Sequence, residues 1–310
     1  MYKFKWKKLG IIFKPNQHND WMQSHAMLPT ADLVYNGIYR IYFGSRNSNN
    51  QSHIGYFVID LSNLSILEIS NSPVLLPGKL GTFDDNGVLP SSIIEINNVK
   101  YMYYIGFKPG GTTRMDLFGG LAIFKNETIL ERYSEAPIIE RCKVNPYINT
   151  APFVIENHNH NNRIPHKYFM YYVAGCGWIN KDLPKYNIQI AFSNDGVEWE
   201  RNGQVCIDFK NDNEVALARP YVVWNNEKYH MWFSYKGESY HIGYAISEDG
   251  VNWIRCDDIG GMKNSQHNNN DFDSDMVAYA CVIYYKKKYF MFYNGNNYGF
   301  DGIGVAVADE

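Results

Sequence analysis

A four-stranded pattern that recurs five times constrains this chain more than any other feature. It is clearest from Glu214 to Arg255, EVALARPYVVWNNEKYHMWFSYKGESYHIGYAISEDGVNWIR. Three runs rich in β-branched and aromatic residues alternate with turn residues, and the Asp249-Gly250 pair leads into a short fourth run, which reads as an antiparallel meander. The second strand recurs as IYRIYFGS from Ile38, KYMYYIGF from Lys100, KYFMYYVA from Lys167, KYHMWFSY from Lys228 and KYFMFYNG from Lys288. Each is followed by a third: HIGYFVID at His53, GGLAIFKN at Gly119, NIQIAFSN at Asn187, HIGYAISE at His241 and GIGVAVAD at Gly302. A lone four-stranded sheet cannot bury both faces, so such copies must stack. The spacing of about sixty residues exceeds the roughly 40 to 50 of propeller repeats, a difference that long loops absorb.

The expected fold is therefore all-β: a five-bladed β-propeller of four-stranded antiparallel blades. One domain spans 1–310, with blades at roughly 20–75, 83–140, 145–205, 214–258 and 271–310. The last blade shows only three strands, and a strand-like segment at 3–14 is expected to complete it and close the ring, leaving no long unpaired edge.

Composition bounds what such a domain does. With 310 residues, 45% of them apolar and 16% aromatic, the chain can bury a large core. A formal net charge of −3 gives no electrostatic case for nucleic acid or an anionic membrane. Lys3, Lys5, Lys7 and Lys8 read as a solvated strand face. No apolar run approaches the ~20 residues of a membrane helix, and Leu9 to Phe13 is too short for a signal peptide, so a cytoplasmic location is expected. Five cysteines, Cys142, Cys176, Cys206, Cys256 and Cys281, lack paired spacing and fit reduced thiols. Neither a metal nor a cofactor is expected, and the oligomeric state is open. The NHNHNNRIPH stretch from Asn157 reads as a polar surface insertion, because no carboxylate or cysteine partners its histidines at ligand spacing. DFDSD at Asp271 resembles the start of a calcium loop but has Met276 where glycine is required.

Meander geometry assigns each connection to one end of the ring. First-to-second turns and Asp-Gly turns share the end that is mostly tight. The other end carries the lead-ins to the first strands and four long loops, Arg46 to Ser52, Lys108 to Phe118, Gly175 to Tyr186 and Asn294 to Asp301. Function is usually grafted on such loops. SNDGVEW at Ser193 and SEDGVNW at Ser247 sit on the tight end and read as structural: Asp-Gly supplies the positive φ of the turn, and the tryptophan packs between blades.

The lead-ins to the first strands are SHAMLPTADLV at Ser24, FDDNGVLPSSIIEI at Phe83, YINTAPFVIE at Tyr147, EVALARPYVVW at Glu214 and DFDSDMVAYACVIY at Asp271. Pro29, Pro90, Pro152 and Pro220 occupy equivalent points, as proline does at strand starts. The polar residues upstream are expected to converge on the central channel: Asp84, Asp85, Glu214, Arg219, Asp273 and Asp275. Gathered carboxylates can divide into a protonated acid and an ionised base or nucleophile, the equipment of glycoside hydrolysis. Asp85, Glu214 and Asp275 are the expected catalytic residues. The expected substrate-binding residues are His25, Asp84, Arg219, Asp273, Trp178, Tyr235 and Asn294. Tyr298, with Trp178 and Tyr235, is placed to stack on a sugar or cover the rim. Arg219 offers a fixed, charged fork suited to carboxylate or phosphate.

The five KYxMYY-type strands, the two SxDGxxW turns and the proline-bearing first strands resemble the five-bladed propeller glycosidases over nearly the full length. That superfamily includes arabinanases, β-xylosidases, invertase-type fructosidases and mannoside phosphorylases. FDDNGVLPSS, ARPYV, SYKGESYHIGYAISEDGVNW, DSDMVAY and FYNGNNYG are closer still to bacterial glycosidase-like proteins. The resemblance implies the fold and a glycoside-active enzyme with a carbohydrate substrate. It also implies a carboxylate triad, but the three positions are Leu28, Ser91 and Ala218 here. The sequence thus points to a glycoside-active enzyme using other carboxylates, on an anionic or nucleotide-linked sugar such as surface-polysaccharide synthesis uses. The alternative is a propeller that only binds carbohydrate. A protein-interaction propeller ranks third.

Overall fold

Near-continuous aromatic and aliphatic runs, such as YHMWFSY, suit strands buried on both faces. The structure, a computed structural model, describes residues 3–15, 17, 19–158, 164–265 and 271–310. Its strands are β1 (Lys7–Phe13), β2 (Ser24–Tyr35), β3 (Ile38–Arg46), β4 (Ser52–Asp60) and β5 (Ser65–Ile69). The next four are β6 (Gly87–Ile96), β7 (Val99–Pro109), β8 (Met115–Asn126) and β9 (Ile129–Arg132). Then follow β10 (Asn149–Glu156), β11 (Tyr168–Asn180), β12 (Leu183–Ser193) and β13 (Val205–Ile207). The last seven are β14 (Ala216–Asn225), β15 (Lys228–Lys236), β16 (Tyr240–Ser247), β17 (Ile254–Arg255), β18 (Ala278–Tyr285), β19 (Lys288–Asn294) and β20 (Ile303–Asp309).

Among the described residues the strands form antiparallel meanders β2–β5, β6–β9, β10–β13, β14–β17 and β18–β20. The N-terminal β1 adds to the last of these, pairing antiparallel with β20 from Lys7 opposite Val307 to Phe13 opposite Ile303. The first strands touch in succession: β2 with β6, β6 with β10, β10 with β14, β14 with β18, and β18 with β2. Single parallel bridges, Ser52 to Gly87, Phe118 to Asn149 and Tyr186 to Ala216, set the start of a third strand beside the start of the next first strand. Those bridges gather the second-to-third loops and the first-strand lead-ins at one end. No helix among the described residues is long and apolar enough to cross a membrane.

The Asp-Gly turns lock neighbouring sheets together. Asp195 Oδ1 accepts the Val197 and Glu198 amides, and Ser193 Oγ accepts the Gly196 amide. Tyr103 of β7 donates its hydroxyl to the Gly196 carbonyl at 2.5 Å, and Tyr171 of β11 does the same to Gly250 at 2.8 Å. Trp199 packs edge-on against Tyr103, and Trp253 against Tyr171. In the lengthened third connection, the His158 ring stacks on Trp224. Residues 159–163, with His160, lie outside the described residues. Among the described residues no cluster suits a metal ion.

Each first strand carries a bulge near its proline-equivalent position. Leu28 (φ 54°), Ala151 (φ 49°), Arg219 (φ 52°) and Tyr279 (φ 61°) hold left-handed backbone there. Such conformations cost roughly 1–3 kcal/mol each for non-glycine residues and re-aim the side chains they carry.

Candidate functional site

The long-loop end opens into a cavity of about 400 Å³, within the size range of small-molecule sites. Every meander contributes to its wall. Met27 and Leu28 of β2, Leu89 of β6 and Ala216 of β14 supply an apolar part, and strand ends and loops supply the polar groups. Those polar groups are basic and phenolic. Arg46, Arg114 and Lys236 line the cavity with Tyr186, Tyr240, Tyr279 and Tyr298, and Asp182 is the carboxylate among the lining residues.

The tyrosines act as a unit. The Tyr186 and Tyr240 hydroxyls are 2.7 Å apart, and the Tyr240 ring lies 6.0 Å from that of Tyr279 and 6.2 Å, edge-on, from that of Tyr298. Burial pushes the Tyr186, Tyr240 and Tyr279 phenols up, so they present neutral hydroxyls throughout the physiological range. Lys236 sits over the Tyr240 ring at 5.6 Å. Arg46 donates to Asn50 Oδ1 at 3.0 Å. Burial lowers its pKa, Tyr279 partly offsets this, and the charge of Arg114 lowers it further. Among the described residues none of these three cations makes a salt bridge.

The acidic residues are placed otherwise than expected. None of Asp85, Glu214 and Asp275 borders the cavity. Asp85 accepts the Gly81 amide at 2.8 Å within its own loop. Glu214 is buried in a two-pronged pair with Arg255, at 2.7 Å for each oxygen, and accepts the Lys210 amide at 2.9 Å. Asp275 is exposed, in a loop whose amides at 275 and 276 are held by Asn296 Oδ1.

Asp84 and Asp273 are buried clasps. Asp84 accepts the Tyr104 hydroxyl at 3.0 Å and Arg132 Nε at 2.8 Å. Asp273 accepts the Tyr293 hydroxyl at 2.9 Å and pairs with Lys8 at 2.7 Å. In the third meander a neutral version joins Asn145, Tyr172 and Gln189. In each case a lead-in residue binds a second-strand tyrosine and a partner from a later strand of that sheet. The physical need is plain, since buried carboxylates and phenols must find partners.

The other expected binding residues divide in the same way. Arg219 is fully buried, donating to the Ser91 carbonyl, to the Pro29 carbonyl at 2.9 Å and to Thr30 Oγ1 at 2.7 Å. It cross-links β14 to β6 and β2 rather than facing a ligand, and burial lowers its pKa to about 10. His25 hydrogen-bonds Ser24 Oγ at 2.9 Å and meets Phe300 edge-on; burial and then Arg46 lower its pKa to about 4, leaving it neutral. Tyr235 alternates with Lys236 along β15 and turns away, against Arg255 and His241. Trp178 lies in the β11–β12 hairpin, outside the cavity. Of the three expected stacking aromatics, Tyr298 lines it.

Asn294 is buried at the junction of the last and first meanders. Its oxygen accepts the amide of strained Leu28 at 2.8 Å, and its nitrogen donates to Ala26 at 2.6 Å and Gly302 at 3.0 Å. Asn294→Ala is expected to cost about 2–3 kcal/mol by chemical denaturation, because buried backbone groups lose their partners.

The cavity-lining residues that sequence reasoning passed over include Arg46, Arg114, Lys236, Tyr186, Tyr240 and Tyr279. A signal existed. Basic residues recur in or beside the second-to-third connection of four repeats, at Arg46, Arg114, Lys181 and Lys236, and three of these line the cavity.

No profile of a known protein family matches the chain. It is 36% identical over 307 residues to the uncharacterized protein Rv1502 of Mycobacterium tuberculosis, covering 98% of this chain and 99% of that one. Among solved structures it is similar to a glycoside hydrolase (TM-score 0.78, 19% identity, 100% of this chain and 93% of the other). It is also similar to a thermostable family-43 glycoside hydrolase (TM-score 0.65, 18% identity, 95% and 91%). With near-complete coverage in both directions, and a fold shared with those hydrolases, the chain belongs to the family of the mycobacterial protein Rv1502.

Proposed function

We propose that this chain is a single-domain, five-bladed, closed propeller whose central cavity binds a sugar derivative, and an anionic one on its charge balance. The observation that carries the reading is one cavity walled by every meander and lined by both tyrosines and cations that no carboxylate neutralises. Aromatic faces and fixed donors suit a sugar ring, and excess positive charge suits an anion. Unpaired cysteines support action in the cytoplasm.

A glycoside-processing enzyme is the second reading, favoured by the likeness to glycoside hydrolases. Hydrolysis by a carboxylate pair needs two groups about 5–5.5 Å or 6.5–9.5 Å apart across the substrate. Asp182, exposed in the β11–β12 turn, is one carboxylate without a second on the cavity wall. Incubation with glycosides, sugar phosphates and nucleotide sugars, followed by mass spectrometry and equilibrium binding, separates the readings. Saturable binding without new products is expected. Turnover abolished by Asp182→Asn would establish the enzyme instead.

A further inference from the structure

Among the described residues the cavity's cations pair with no carboxylate, which sets them apart from several buried or half-buried charges of the molecule. Arg132, Arg255 and Lys8 each neutralise a buried carboxylate, and Arg219 is consumed by carbonyls. Arg46, Arg114 and Lys236 have no such partner among the described residues, yet they share one wall system. Arg114 is near enough to lower the Arg46 pKa, and two guanidiniums placed together are unfavourable unless an anion joins them.

The size of the imbalance selects the anion. Three cations against Asp182 leave an excess of two positive charges along the lining. A carboxylated sugar brings one negative charge, whereas a phosphomonoester brings about 1.5 to 2 at neutral pH, with three acceptor oxygens. Guanidinium forks match phosphate oxygens two at a time, and neutral tyrosine hydroxyls add donors without adding charge.

We propose that the cavity holds the phosphoryl group of a phosphorylated sugar against Arg46, Arg114 and Lys236, with the sugar against Tyr240, Tyr279 and Tyr298. This deepens the sugar-binding reading and rests on it for the sugar half. The phosphoryl group belongs either to a sugar 1-phosphate or to a nucleoside diphosphate sugar.

Calorimetric titration of the full chain tests it with four probe classes: neutral hexoses and pentoses, their 1-phosphates, nucleoside diphosphate sugars, and inorganic pyrophosphate. Phosphorylated probes are expected to bind at least tenfold more tightly than their neutral counterparts. Arg46→Gln and Arg114→Gln should each weaken them roughly tenfold or more, the loss of a charge-assisted contact. Lys79→Gln, at a distant exposed pair, should change nothing. The better of the two phosphorylated classes identifies the source of the phosphoryl group.

Neutral sugars binding as tightly as phosphorylated ones, with both glutamine variants silent, would overturn the phosphoryl site and leave the sugar-binding reading standing. Arginine-dependent binding of pyrophosphate with no sugar of any class bound would support the anion site and overturn the sugar reading. Absence of binding by all probes would overturn both. Thermal melting of each variant verifies that the folded protein is being titrated.

Discussion

Removal of residues 1–14 is expected to abolish cooperative folding at 37 °C, measured as loss of the thermal transition and of near-ultraviolet circular dichroism. The segment is a small fraction of the chain but contacts three sheets. Phe4 packs against Trp232 and Tyr244 of the fourth meander and Tyr289 of the fifth, with ring centroids 5.4, 5.4 and 4.9 Å away. Phe13 lies 4.7 Å from both Phe43 and Phe57 of the first. Both are buried. Losing a buried phenylalanine costs about 3–5 kcal/mol, so the pair amounts to roughly 6–10 kcal/mol before any hydrogen bond is counted. Domains are stable by only about 5–15 kcal/mol. The deletion also leaves β20 with an open edge and Asp273 without Lys8.

Glu214→Ala is expected to lower the unfolding free energy by about 3–5 kcal/mol, the cost of breaking a buried ion pair and leaving its partner uncompensated. Arg255 would keep Asp257 but lose both oxygens of Glu214. The Lys210 amide would also lose its acceptor. The corresponding fall in melting temperature is roughly 5–8 °C. Sugar binding by the surviving folded fraction should be nearly unchanged, because Glu214 does not border the cavity. A catalytic Glu214 makes the opposite prediction: Glu214→Gln would fold normally and lose turnover.

Much of this molecule is written in local pattern, and local pattern is what a sequence displays. The five second-strand runs, the Asp-Gly turns and the N-terminal strand each follow from periodicity and turn chemistry, and each appears at its expected place. Even the end that carries the cavity was legible, since strand polarity alone puts the four long loops beside the first-strand lead-ins, where the cavity lies.

The roles of the carboxylates were not legible for a definite reason. Asp84 and Asp273 look alike in sequence whether they face a ligand or a clasp, and their cations come from Arg132 and Lys8, 48 and 265 positions away. A faint sign sits in the second strands. Tyr104, Tyr172 and Tyr293 occur where a polar lead-in residue needs a phenol, whereas Phe43 and Phe233 occupy that place in the other two repeats. Arg219 misled through its chemistry: a residue suited to phosphate is equally suited to three strand oxygens. Of the cavity-lining cations, Arg46 and Lys236 end their strands and Arg114 lies in a loop, where no periodicity marks them.

A crystal structure with the tightest-binding sugar derivative tests the central claim most directly. Ligand density is expected among Tyr240, Tyr279 and Tyr298, within hydrogen-bonding distance of Arg46, Arg114 or Lys236. Density for that ligand against Asp85, Glu214 or Asp275, with the tyrosine-lined cavity empty of it, would contradict the account.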